Sequence, residues 1–172
     1  VRLCLAICDQ YPDLDREILV AAAALHDLGK IWEMDSGVSA EYTDEGRLLG
    51  HIQIGLVQLE PFLVKAKVPE ELAMHFRHLL LSHHGELEFG SPKRPKTPEA
   101  VVLHYADNLD AKLNQFSCAF DSVQGGEDEG YWTPFQRGMD RFLYKPVATP
   151  GYDKRRTPKK KGGKQCSLLS KE

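Results

Sequence analysis

No run of apolar residues in this chain approaches the roughly 20 needed to span a bilayer, so a transmembrane helix is excluded. No signal peptide opens it either. The first residues read VRLCLAIC, with neither an initiator methionine nor a cleavage site, and this opening suggests a fragment of something longer. Cysteine is scarce. Cys4, Cys8, Cys118 and Cys166 form no CxxC pair and are too spread for a disulfide framework. Cys4 and Cys8 lie one helical turn apart and read as core packing in a reducing, cytoplasmic compartment. Alternating strand patterns of convincing length are missing, and so is any internal repeat.

What is present suits one domain, or one domain and a tail: 172 residues, 42% of them apolar. Charge is unevenly spread. Of 22 basic and 25 acidic side chains, nine basic and two acidic fall between Lys145 and Glu172, which leaves 13 and 23 for the rest. The body is acidic and the end is basic. Helix signals dominate the body. VRLCLAICDQ carries Leu3, Ile7 and Gln10 at helical spacing and stops at Tyr11-Pro12. DLDREILVAAAALHD starts at an aspartate cap, aligns Ile18, Ala22 and Leu25, and meets Gly29 as a helix stop. DEGRLLGHIQIGLVQLEPFLVKA follows a polar loop and is broken or kinked near Pro61. PEELAMHFRHLLLSHHG begins at Pro69 with two glutamates and ends at Gly85. TPEAVVLHYADNLDAKLNQF begins with Thr97 as cap and Pro98 at its first position. A short helix is expected within TPFQRGMDRFLY, residues 133–144. The expected architecture is an all-α bundle over residues 1–145, followed by a disordered basic tail over 146–172.

Several of the seven histidines carry the chemistry. His26 and Asp27 precede Gly29, His51 lies in GHIQIG, His83 and His84 precede Gly85, and Asp107 lies inside an apolar helix. A buried aspartate is costly unless paired or bound to a cation. Imidazole and carboxylate donors suit Mn, Fe, Co, Ni or Zn, and separate helices can aim them into one bundle interior. His75 and His78, in MHFRH, read as helix surface. His104, one turn before Asp107, either orients that carboxylate or packs. Asp110, about one turn beyond, either touches the same pocket or forms a salt bridge.

HDLGK, followed by GH, HH and a late Asp, resembles the HD superfamily of metal-dependent phosphohydrolases, a helical group that binds one or two divalent ions. EYTDEGRLLGHIQIG, LSHHGELEFGSPKRPKTPEA and LHYADNLDAKLNQF are similar to its YhaM-type 3′→5′ exoribonuclease branch. The resemblance implies His26, Asp27 and Asp107 as ligands of a first ion. It implies His51, His83 and His84 around a second, with Asp27 bridging; whether both His83 and His84 coordinate stays open. Lys30 matches the lysine of the motif, a phosphate contact or electrostatic stabiliser. The family has one more histidine on the helix before the HD helix. Residues 1–25 contain none, so the resemblance puts it upstream of Val1 together with an OB-type nucleic-acid-binding domain.

The implied reaction is hydrolysis of a phosphodiester by metal-activated hydroxide, trimming single-stranded RNA from the 3′ end, with DNA as an open alternative. Asp27 and Asp107 act as ligands first, and Lys30 faces the phosphoryl oxygens. Lys93, Arg94 and Lys96 either line the path of a nucleic-acid backbone or form a solvated loop. Two other readings remain: a phosphomonoesterase or cyclic-nucleotide phosphodiesterase acting on small nucleotides, and a degenerate HD domain that senses nucleotide or scaffolds partners. Against a cyclic-di-GMP enzyme, LEFGSP stands where a GYP tripeptide would follow HHGE. The nine cations of the basic end come with no aromatic ladder for stacking bases, since Tyr152 is the only aromatic after Lys145. An oligomer is compatible with all of these readings.

Overall fold

Helix α1 (Arg2–Gln10) turns Cys4 and Cys8 inward as free thiols, while Leu3 and Gln10 stay exposed. The small cysteines, rather than the Leu3 face, therefore make its packing stripe. The computed structural model to which this helix belongs describes residues 1–35, 41–123 and 130–147. Helix α2 (Arg16–Leu25) begins where the Asp15 side chain accepts the backbone N–H groups of Glu17 and Ile18, at 3.1 and 3.2 Å. Such a cap satisfies donors the first turn cannot pair and is worth about 1 kcal/mol. Ile18, Leu19, Ala22 and Ala23 are buried on the face it presents.

The chain leaves α2 at His26 and turns through Gly29 into the short helix α3 (Lys30–Glu33). Gly29 is not the left-handed stop its position suggested, because its φ is −60°. It is required by a close approach: a Cβ there would lie 1.9 Å from the His51 carbonyl oxygen and 2.7 Å from the Gly55 nitrogen. The absence of two side chains lets the turn carrying His26 and Asp27 lie directly against the next long helix. That helix, α4 (Asp44–Lys65), is capped by Thr43, whose hydroxyl accepts from Gly46 N–H at 2.9 Å. Its break falls at Gly50, with φ 72° and ψ 159°, and not at Pro61. Only glycine takes that conformation without strain, whereas Pro61 sits on the exposed face and the helix continues through it.

Helix α5 (Glu70–Ser82) opens with Glu70 and Glu71 and closes into His83, His84 and a left-handed Gly85 at φ 83°. Helix α6 (Pro98–Asp121) is capped by Thr97, which accepts from Ala100 N–H at 3.3 Å. Leu19, Leu59, Phe76, Leu79, Leu80, Ala100 and Leu103 join Cys4, Cys8 and Ala22 in one apolar core shared by α1, α2, α4, α5 and α6. Losing one such leucine costs about 2–5 kcal/mol. The protein is helical, as expected, and among the described residues no helix is long and apolar enough to cross a membrane.

The chain divides into two compact units, residues 1–109 and 110 onward. In the second, the expected helix over 133–144 is instead a small antiparallel hairpin. Strand β1 (Tyr131–Trp132) pairs with β2 (Tyr144–Lys145), Tyr131 opposite Lys145 and Trp132 opposite Tyr144. Arg137–Met139 form only a 3₁₀ turn between them. Pro134 and the alternation of exposed Phe142, buried Leu143 and exposed Tyr144 suit a strand period, not a helical one. The basic stretch expected to be disordered lies, from residue 148 on, outside the described residues.

Candidate metal centre

Four histidines and two aspartates meet in the first unit. The His83 ring stands at their middle, with ring centroids 4.9 Å from His26, 5.6 Å from His51 and 4.3 Å from His84. Asp27 reaches into the group with both oxygens. Its Oδ1 lies 3.6 Å from His51 Nε2 and 3.8 Å from His83 Nε2. Its Oδ2 lies 3.6 Å from His26 Nε2 and 2.7 Å from Lys30 Nζ. Asp107, from α6, brings Oδ1 to 3.4 Å from His26 Nε2. The side chains come from the end of α2, the start of the second half of α4, the end of α5 and the middle of α6. Helix ends supply most of them because backbone leaving a helix can direct neighbouring side chains to one point.

The hydrogen bonds on the far side of each ring decide what the near side offers. His26 Nδ1 donates to the Ala23 carbonyl at 3.2 Å, His83 Nδ1 to the Leu80 carbonyl at 2.7 Å and His84 Nδ1 to the Phe89 carbonyl at 2.9 Å. His51 Nδ1 donates to Glu33 Oε1 at 3.2 Å. A carbonyl or carboxylate can only accept, so each Nδ1 carries hydrogen and a neutral ring keeps its lone pair on Nε2. The Nε2 atoms of His26, His51 and His83 are buried and have no hydrogen-bond partner. An unmet buried acceptor costs about 1–3 kcal/mol. Three converging on the same carboxylate fit a cation. Two groups of donors could hold one: His26, Asp27 and His83, and separately His51, His83 and His84, each with its ligand atoms within 4.8 Å of one another. His83 belongs to both.

Electrostatics follow from this crowding. Burial alone would lower the His26 imidazole, but its contact with Asp107 and the charge of Asp27 outweigh it and raise it above its ordinary value. Burial would raise Asp27 and Asp107; His26 chiefly, aided by Lys30, draws both below the usual carboxylate range. Burial, reinforced by His84, pushes His83 down to about 3. His84 is lowered too, by burial first. The two carboxylates beside His26 favour its charged form, and a cation bound there would compete with that proton.

Two supporting residues complete the arrangement. Glu33, one turn beyond Lys30, is buried and accepts both the backbone N–H of His51, at 2.9 Å, and its ring Nδ1. Sequence reasoning missed it. Its one visible signal was an acid in the short KIWE stretch directly after the HD pair. His104 donates from Nδ1 to the His83 carbonyl at 2.9 Å, so it braces the backbone of His83 and not the Asp107 carboxylate. Its ring lies where a Cβ on Gly85 would be, 2.2 Å from the nearest ring atom, which with the positive φ explains the glycine after His84.

The remaining sequence candidates lie apart from the cluster's contacts. Asp110 is exposed and takes part in none of the described ion pairs. Lys93, Arg94 and Lys96 are exposed in the loop before α6, with Arg94 held by Glu86 at 2.9 Å. His78 Nε2 accepts the Lys96 backbone N–H at 2.9 Å, and His75 meets Thr97 and Glu99 at 3.0 and 3.3 Å, so both join α5 to the start of α6.

The chain is 48% identical over 147 residues to the 3′-5′ exoribonuclease YhaM of Bacillus subtilis (strain 168), covering 86% of this chain and 46% of that protein. It is 47% identical to the YhaM of Bacillus velezensis over the same shares, and 42% identical to that of a Geobacillus species, covering 86% of this chain and 44% of that protein. It thus spans about half the length of the curated relatives it matches. No solved structure matches it. The family model for the HD domain matches residues 1–112, the stretch that holds every histidine and aspartate of the cluster, and the chain belongs to the HD domain family.

Proposed function

We propose that this chain is the hydrolytic part of a metal-dependent 3′→5′ exoribonuclease that trims single-stranded RNA, with residues 1–145 as its HD domain and 146–172 as a basic extension. One observation carries the reading: the buried Nε2 atoms of His26, His51 and His83 converge on Asp27, with Asp107 beside His26, in a chain similar to YhaM exoribonucleases over most of its length. The donor set fits Mn, Fe, Co, Ni or Zn better than Ca or Mg.

In this reading His26, Asp27 and Asp107 hold one ion. His51, His83 and His84 hold a second, and Asp27 serves both. Bound ions supply the Lewis acidity that lets water attack a phosphodiester near neutral pH. The chain's own residues do the rest. Glu33 and the Ala23, Leu80 and Phe89 carbonyls keep each imidazole in the tautomer that offers Nε2. Lys30, half-exposed beside Asp27, meets the phosphoryl oxygens and balances the charge that grows on them. Lys93 and Lys96 add cations for the backbone phosphates.

The test is a 5′-labelled oligoribonucleotide incubated with Mn²⁺. Wild type should give a ladder shortening from the 3′ end. Asp27→Ala should lose both bound metal and hydrolysis while its helical circular dichroism stays. Full turnover by that variant rejects the mechanism. Hydrolysis confined to nucleoside monophosphates or cyclic nucleotides moves the assignment to a small-nucleotide phosphatase or phosphodiesterase.

A further inference from the structure

The hairpin of the second unit has two unlike faces. Inward, Tyr131 donates its hydroxyl to the Phe120 carbonyl at 3.1 Å, and Lys145 Nζ lies 5.4 Å from the Tyr131 ring centre and 5.8 Å from that of Phe120. Leu143 and Thr133 are buried and tied together, Thr133 N–H to the Leu143 carbonyl at 2.8 Å and Leu143 N–H to Thr133 Oγ1 at 3.1 Å. Outward stand four large rings: Trp132 at 67% exposure, Phe142 at 60%, and Phe135 and Tyr144 at 46% each. They are paired, Trp132 with Tyr144 at 5.1 Å between centroids and Phe135 with Phe142 at 5.3 Å. Phe142 and Tyr144, two residues apart, are both exposed with buried Leu143 between them, which puts the two pairs on the same side of the segment leading into β2.

One of these rings is also held in place. A Cβ on Gly130 would lie 2.0 Å from the Tyr144 hydroxyl, so the Tyr144 ring rests on bare backbone. Isolated exposed apolar residues are ordinary, but four rings in two contacting pairs are the kind of patch that marks a binding surface. Charge indicates the occupant. Between Thr133 and Lys145 the exposed charges are Arg137, Arg141 and the single acid Asp140. The sequence that follows, residues 146–172, adds eight Lys or Arg against two acids, while Glu127, Asp128 and Glu129 precede the hairpin; the cations that stand on the hairpin itself are Arg137 and Arg141. Flat rings beside cations match flat bases strung on phosphates, whereas a purely apolar protein partner would have no use for the cations.

We propose that the exposed face of this hairpin, Trp132, Phe135, Phe142 and Tyr144, stacks the bases of single-stranded RNA while Arg137 and Arg141 meet its phosphates. It supplies the aromatic ladder that the basic end of the sequence lacks. The proposal rests on RNA being the substrate, and it needs no contact with the metal centre.

The test separates binding from hydrolysis. Affinity for a fluorescein-labelled oligoadenylate of about 20 nucleotides is read by anisotropy in EDTA, and hydrolysis of bis(p-nitrophenyl) phosphate is read separately with Mn²⁺. The Trp132→Ala, Phe142→Ala double variant, which removes two base stacks, should bind the oligonucleotide about 30-fold or more weakly, and should hydrolyse the small diester as wild type does. Trp132→Phe should keep most of the affinity. Unchanged affinity in a folded double variant overturns the proposal. So does a changed oligomeric size with unchanged affinity, which would give the face to a protein contact. Should the double variant not fold, a 4-thiouridine oligonucleotide crosslinked to wild type decides: adducts within 131–145 support the proposal, and adducts only elsewhere overturn it. A wild type that binds RNA through this face yet hydrolyses neither RNA nor the small diester would defeat the proposed function and leave the stacking face standing.

Discussion

One oxygen of Glu33 holds His51 twice, accepting its backbone N–H at 2.9 Å and its ring Nδ1–H at 3.2 Å. The first contact caps the half of α4 that restarts after Gly50, and the second turns Nε2 toward Asp27. Helix start and ligand orientation therefore share one acceptor. Removing the partner behind a ligating imidazole typically weakens a metal site 10- to 100-fold. Glu33→Ala should lower Mn²⁺ affinity by about that factor in a calorimetric titration. Glu33→Gln keeps a carbonyl oxygen in the same place and should fall between the variant and wild type. Equal affinity in all three would remove Glu33 from the site.

Acid should act on the centre in two opposed ways. His83 has an ordinary value of 6.5 in the unfolded chain and about 3 when folded. Below pH 6.5 the unfolded chain takes up a proton that the folded chain refuses, so stability is lost as pH falls toward 3, by up to about 1.4 kcal/mol per pH unit. His26 is raised, so its contribution is complete below its ordinary value and is lost as pH climbs through the folded one. Urea unfolding of metal-free wild type and His83→Gln should show the variant losing less stability between pH 6.5 and about 5. Metal binding adds its own signature. A proton on His26 competes with the ion for Nε2, so affinity should fall with acid. Calorimetric titrations at a series of pH values should show Mn²⁺ affinity falling as pH falls.

Gly29 permits the crossing that brings the HD turn against α4. A methyl group there would meet the His51 carbonyl at 1.9 Å and the Gly55 nitrogen at 2.7 Å, and backbone cannot step aside as a side chain can. Gly29→Ala should destabilise the protein by about 3 kcal/mol or more, measured by urea unfolding, and should weaken metal binding with it. Gly138 has nothing within 4 Å of its Cβ position, so Gly138→Ala is the control and should leave both nearly unchanged.

The helices were legible because their signals are local. Asp15, Thr97 and Pro98 mark starts, Gly85 marks a stop, and the histidines sit beside the helix ends that expose them. What escaped was tertiary. Gly29 looked like a cap and is a crossing point, because the chain it approaches lies more than 20 residues away. Pro61 looked like the break, yet its side of α4 faces water and the kink falls at Gly50. His104 offered Asp107 or packing as partners and instead braces the His83 carbonyl. Glu33 carried no periodic or motif signal, since its role exists only once α4 begins again at His51. The hairpin was read as helix because two-residue strands fall below any alternation that can be counted.

Asp27 faces His51 and His83 with one oxygen and His26 with the other. If two ions bind as proposed, it is a party wall between two rooms. Exchange of His84 or Glu33 would then alter one room and leave the other furnished, whereas exchange of Asp27 would open both at once. The residue on which both would depend belongs neither to the apolar core nor to any helix cap.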